Sequence, residues 1–338
     1  MNCATKITAA LLVTASLLFA QGNLTPPGPP APSMKTLAQI EPRTPLSGGN
    51  PSITAPGSYY LTGNTGTIYI QSSDVVLDLN GFSVIIPFDS DGISIFPGSP
   101  LVNVTIRNGS IVGPGVWTQD AANPRQGTYA GSTRLGLFTS GRTASTATAY
   151  NIHLEKLTVR GFSRGIATLG GDEFDGGRVR IQDCTVRDFG VYGIWARQAV
   201  IQNAVVHSGT GDGIKTDLST LENCVVERVT GSGLSGGNNT VRGFVARFVG
   251  AHGISSPNSV VIGAQASGCG GAGVYADNST ISQCLVQNSG DDGIRGVGSL
   301  IAQSKASGSD SNAGGYTAVD IYWSGGRQVD NVAGTYAP

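Results

Sequence analysis

Charge is scarce in this chain. Only 13% of its 338 residues are Asp, Glu, Lys or Arg, about half the usual quarter. The formal net charge is -1. With no basic surplus to neutralise phosphates, a nucleic-acid partner is not expected. Helical periodicity is missing as well: no long window carries apolar residues at helical spacing without a glycine interrupting it. Histidine is rare, and His153, His207 and His252 are too scattered to form a zinc site. No Gly-x-Ser-x-Gly elbow sits on a strand–turn–helix pattern, and no phosphate loop occurs, which disfavours cofactor-dependent chemistry.

Long apolar runs are also lacking, apart from one at the start. Residues 7–20 follow Lys6 and are apolar or small, yet too few to span a bilayer. They are expected to be a signal peptide, cleaved after Ala20. Residues 21–50 are then a linker and N-terminal extension, made stiff by Pro26, Pro27, Pro29, Pro30 and Pro32. Cys3 precedes the apolar run, so a lipoprotein anchor is not expected. The expectation is an exported protein (extracellular, cell-surface or periplasmic) with no transmembrane segment in the mature chain.

Glycine is abundant: 50 residues, about twice the usual share. Gly193, Gly213, Gly233, Gly253, Gly273 and Gly293 recur every 20 residues, each followed by an aliphatic residue. A second column reads Ile181, Ile201, Leu221, Val241, Val261, Ile281, Ile301. A third reads Val186, Val206, Val226, Ala246, Ala266, Val286, Ala306. A period of this length signals a solenoid. About three inward apolar positions per repeat, parted by Gly, Asn and Ser, fit short strands that bury alternate residues. The leucine-rich-repeat pattern is missing. The predicted fold is all-β: a right-handed single-stranded parallel β-helix with three short strands per 20-residue coil, spanning residues 51–338.

The same register places the cysteines. Cys184, Cys224 and Cys284 share one column, two or three coils apart. That is roughly 10–14 Å at the strand-pairing distance, beyond the ~7 Å limit for a disulfide. They are expected to be buried thiols. Towards the N-terminus, Val75–Gly81 and Val104–Gly109 each read as a strand followed by an Asn-Gly turn. Tyr59 to Leu61 and Ile68 to Ile70 are expected to cap one end, and residues 316–323 the other. Two insertions are expected, at residues 113–150 and 170–177.

The Gly-Ile coils, the small Cys/Ala column and Leu77-Asp78-Leu79-Asn80-Gly81 make the chain similar to the pectate-lyase-like superfamily, over roughly residues 58–323. The opening Gly57-Ser58-Tyr59-Tyr60-Leu61-Thr62-Gly63-Asn64 resembles the start of many exported bacterial β-helix proteins of unassigned activity. The resemblance implies a fold shared by polysaccharide lyases, hydrolases and epimerases and by non-catalytic adhesins. Gly290-Asp291-Asp292, Ala251-His252-Gly253 and Thr210-Gly211-Asp212-Gly213 resemble motifs of polygalacturonase-type hydrolases, and imply acid–base roles for Asp291, Asp292, His252 and Asp212. Order and spacing depart from that family. Asp212 lies four coils, roughly 19 Å, from Asp292, too far for the ~6.5–9.5 Å carboxyl pair of an inverting glycosidase. The superfamily's lyases use Ca²⁺. Asp172, Glu173 and Asp175 are candidate Ca²⁺ ligands here, with a surface ion-pair ladder around Arg197 as the alternative.

The outward column after each aliphatic residue reads Trp195, Lys215, Ser235, Ser255, Tyr275, Arg295. Trp195 beside Lys215, and Tyr275 beside Arg295, are expected to form cation–π pairs. They are the candidate substrate-binding residues: rings for sugar faces, cations for acid groups. The alternative is an ordinary solvated face with two cross-strand pairs. The expected function is binding or processing of a polysaccharide or cell-surface glycan along an outer face, lyase- or hydrolase-like. The alternative is a non-catalytic surface or adhesion protein using residues 113–150.

Overall fold

The computed structural model describes residues 42–87, 90–95, 101–131, 133–139, 149–168, 178–309, 320–334 and 336–337. The predicted signal peptide and the proline run lie outside them. Among the described residues, every strand pairing except one hairpin is parallel and joins equivalent segments of successive coils. The fold is an all-β right-handed parallel β-helix, as the period predicts.

Three ladders run along it. In the regular region the first joins Ala199–Gln202, Thr220–Glu222, Thr240–Arg242 and their successors. The second joins Val205–Gly209, Val225–Val229 and Val245–Val249. The third joins Asp212–Asp217, Leu234–Ser235, Ile254–Ser255, Val274–Tyr275 and Ile294–Val297. One coil cannot bury its own apolar side chains. Stacked, Ile201, Leu221, Val241, Val261 and Ile281 form a column with no exposed surface. The column glycines leave room for this stacking. A Cβ on Gly213 would run into Val226 and lie 2.9 Å from the Gly233 carbonyl oxygen of the next coil.

The corners have a local cause. Each regular coil bends at single residues with positive φ, and these too form columns. Asn203, Asn223, Gly243 and Gly263 turn the chain between the first and second ladders. Leu218, Asn238, Asn258 and Asn278 turn it between the third and first. Asn and Gly tolerate this left-handed conformation best. Buried corner N–H groups need acceptors, and a polar column supplies them. The backbone N–H groups of Ala199, Asn239, Ser259 and Ser279 donate to the hydroxyls of Ser219, Ser259, Ser279 and Ser299 at 2.9–3.0 Å. Cys184, Cys224 and Cys284 are buried and unbridged, and burial pushes each thiol up to about 11.

Four expectations are corrected. The helix begins before residue 51, because Thr44–Leu46 pairs with Tyr59–Leu61, and Ser52–Ile53 pairs with Tyr69–Ile70. The Tyr59 and Ile68 segments are therefore coil strands and not caps. Ile321–Ser324, from the predicted C-terminal cap, also pairs within the third ladder. Asn108 makes no hairpin turn; its positive φ bends Leu101–Val112 from the first ladder into the second. Finally, residues 113–150 are not one unpaired insertion: Leu135–Thr139 belongs to the third ladder. What leaves the coil is an antiparallel hairpin, Val116–Gln119 with Gly127–Ala130.

Candidate functional site

The outer face of the third ladder carries the predicted column. Register sets Trp195 beside Lys215, Lys215 beside Ser235, Ser255 beside Tyr275 and Tyr275 beside Arg295. Because alternate residues of a strand point to opposite sides, the buried Ile194, Ile214, Leu234, Ile254, Val274 and Ile294 leave this column outside.

Two cation–aromatic clusters stand on this face. In the first, the Tyr192 and Trp195 rings lie 5.1 Å apart between two cations. Lys215 Nζ is 5.0 Å from the Tyr192 ring and 6.0 Å from the Trp195 ring, and it donates to Tyr192 Oη at 3.3 Å. The Arg164 guanidinium lies 5.9 and 5.2 Å from the same two rings. In the second, the Arg295 guanidinium sits between Tyr275 and Tyr322, at 5.5 and 5.2 Å. His252 stacks on Tyr275 with centroids 5.4 Å apart. Ser235 and Ser255 separate the clusters. Arg164, Tyr192 and Tyr322 were not among the predicted binding residues. Tyr192 precedes a column glycine, and Arg164 and Tyr322 occupy column positions that insertions displace from the 20-residue count.

The predicted acids are not brought together. Asp212 accepts from the Ser232 N–H at 2.8 Å and the Ser235 hydroxyl at 2.7 Å, so its carboxylate closes a corner between coils. Asp292 is 5% exposed and lies 3.8 Å from Arg295. Asp291 is half-exposed and its charge acts on His252. The His252 imidazole is held below its ordinary value, first by burial, with Asp291 opposing and Arg295 assisting. His252 Nδ1 accepts the Ala272 N–H at 3.0 Å. A backbone N–H can only donate, so the neutral ring carries its proton on Nε2. It thus offers a donor rather than a base. Tyr275 donates to Asp277 at 3.0 Å, which raises its phenol.

Asp172, Glu173 and Asp175, the predicted Ca²⁺ ligands, lie outside the described residues. Among the described residues, no group of three or more His, Cys, Asp or Glu side chains gathers as a metal site.

A feature the sequence did not predict is where the hairpin lies. It leaves the second ladder after Val112 and rejoins the third at Leu135, so it rests on the corner between them. The Tyr129 ring lies over Gly190, where a Cβ would come within 2.9 Å of it. Its turn reaches Thr230 and Gly250, and between them is an open cleft of about 210 Å³.

No protein-family model matches the chain, and no curated protein matches it. Solved structures do. The A-module of Azotobacter vinelandii mannuronan C-5 epimerase AlgE4 matches with a TM-score of 0.59 at 14% identity, over 84% of this chain and 89% of the other. The AlgE6 A-module matches at 0.57 and 14%, over 84% and 92%. A double mutant of the periplasmic alginate epimerase AlgG matches at 0.56 and 12%, over 85% and 77%. At these identities the likeness shows the shared β-helix fold. Among the described residues, no helix is long and apolar enough to cross a membrane.

Proposed function

We propose that this chain is an exported protein that binds an acidic polysaccharide along the outer face of its third ladder. The observation that carries this reading is the pair of cation–aromatic clusters on one column: Arg164 and Lys215 around Tyr192 and Trp195, and Arg295 between Tyr275 and Tyr322. Apolar sugar faces stack on rings, and acid groups pair with the cations held against those rings. Coils repeat every ~4.8 Å, close to the length of one pyranose, so successive coils offer one contact per sugar unit. Three carboxylates near this face close contacts between coils. Asp212 and Asp217 accept backbone N–H groups, and so does Asp277. The alginate epimerases among the structural neighbours process an acidic polysaccharide, which agrees with this reading by analogy of fold.

The test is a binding measurement on soluble polyuronates and neutral polysaccharides, with Trp195→Ala alongside. Polyuronates are expected to bind and neutral polymers not, with affinity falling as salt rises. Trp195→Ala should weaken binding about tenfold at unchanged melting temperature. Absence of binding to every polymer, or full affinity in Trp195→Ala, would refute the reading.

Processing is the second reading. The half-exposed Asp291 beside His252, which presents an Nε2–H, favours it. New reducing ends or unsaturated products that vanish in Asp291→Asn would establish it. Running that assay with and without Ca²⁺ tests Asp172, Glu173 and Asp175.

A further inference from the structure

The hairpin rests on the corner beside this face, and the cleft beneath its turn is not part of the proposed main-chain track. The cleft is lined by Asp120, Gln126, Gly127 and Thr128 from the hairpin and by Thr230 and Gly250 from the corner. We infer that it is a side subsite that takes a single neutral sugar branch of the polysaccharide bound on the third face.

Size sets the first limit. About 210 Å³ is below the roughly 300–1,000 Å³ of pockets that enclose drug-sized ligands, so the cleft has room for one small unit. Chemistry sets the second. The lining offers the Thr128 hydroxyl, the Gln126 amide, the Asp120 carboxylate, glycine backbone and the oxygen of Thr230, whose hydroxyl donates to the Thr210 carbonyl. These are donors and acceptors suited to sugar hydroxyls. The one charged lining group is the Asp120 carboxylate, while the Arg125 charge of the same turn acts on the buried Cys269, so the cleft offers acceptors to sugar hydroxyls and no direct partner to a uronate.

Position sets the third. Thr230 and Gly250 precede the third-ladder strands Leu234–Ser235 and Ile254–Ser255 by a few residues. The cleft therefore opens at the level of Ser235 and Ser255, between the two aromatic clusters. Small outward side chains there leave space for a main chain to pass and a substituent to turn aside. The turn is also pre-shaped. Asp120 N–H donates to the Gln126 carbonyl, Gln126 N–H to the Asn123 carbonyl, and Ala122 N–H to Asp120 Oδ1, all at 2.9–3.0 Å. Little ordering is left for a ligand to impose.

This inference rests on the polysaccharide reading, and one experiment separates the two. The probes are a linear oligouronate and the same oligouronate carrying one galactosyl branch on an internal unit. They are titrated against the full chain, Thr128→Trp and Gln126→Ala, with melting curves as a check on folding. The wild type should bind the branched probe about tenfold tighter than the linear one. Thr128→Trp fills the cleft, and should abolish that preference while leaving the linear affinity unchanged. Gln126→Ala should reduce the preference without filling space, and serves if the tryptophan variant does not fold. Equal affinity of the wild type for both probes overturns the side subsite and leaves the polysaccharide reading standing. Binding of neither probe overturns both.

Discussion

At the scale of single residues, the polar chemistry of this protein is mostly spent on its own backbone. Asp212 was legible as a candidate acid because it stands in an Asp-Gly corner, but its carboxylate takes the Ser232 N–H and the Ser235 hydroxyl. A sequence shows where an acid is and not which neighbour's N–H it closes, so spacing alone could not separate Asp212 from Asp291. Asp78 in the Leu-Asp-Leu-Asn-Gly stretch is a similar case. It is buried, lies 3.5 and 3.2 Å from Arg43 and Arg107, and accepts the Asn80 N–H, pinning neighbouring coils together. The histidines give a prediction. His207 and His252 are both held below the ordinary imidazole value, chiefly by burial. The unfolded chain therefore binds protons that the folded chain refuses. Their stabilising contribution is complete above about pH 6.5 and is lost as pH falls from there towards the lower folded values. Melting temperature should drop over that window, and less steeply in His252→Gln. Parallel curves for the two proteins would show that His252 does not contribute.

At the scale of elements, the coil reads directly from its columns, because a strict 20-residue period keeps every residue above its counterpart. The irregular parts did not read so well. Insertions between Gly165 and Gly193, and between Ile294 and Ile321, shift the count and concealed Arg164 and Tyr322. The hairpin was concealed for another reason. It has no periodic partner, and its rings pack on glycines distant in sequence, as Tyr129 does on Gly190. Corners carry a prediction of their own. Leu218 has φ 55° and is 47% exposed, so it bears left-handed strain and buries little surface in return. Leu218→Asn should stabilise the protein by roughly 1 kcal/mol, read as a higher melting temperature. A lower one would mean that the leucine's packing outweighs its backbone.

At the scale of the whole molecule, the residues Arg43–Pro338 form one unit whose contacts are almost all between adjacent coils. Stability of such a solenoid is close to a sum of nearest-neighbour terms. The proposed track depends on the same translation: Trp195 and Tyr275 are four coils, ~19 Å, apart, and the coil height fixes that distance. The parallel ladders also give the molecule a mechanical character. Their hydrogen bonds lie along the helix axis, so tension applied at Thr44 and Val332 opens them one coil at a time, as a zip, and does not shear many at once. Each released coil turns ~4.8 Å of height into about 70 Å of extended chain. In an optical trap the regular region should lengthen in low, evenly spaced steps of about 65 Å, and a single all-or-none rupture would contradict it. A fold held together by stacking would then yield to a pull by unspooling.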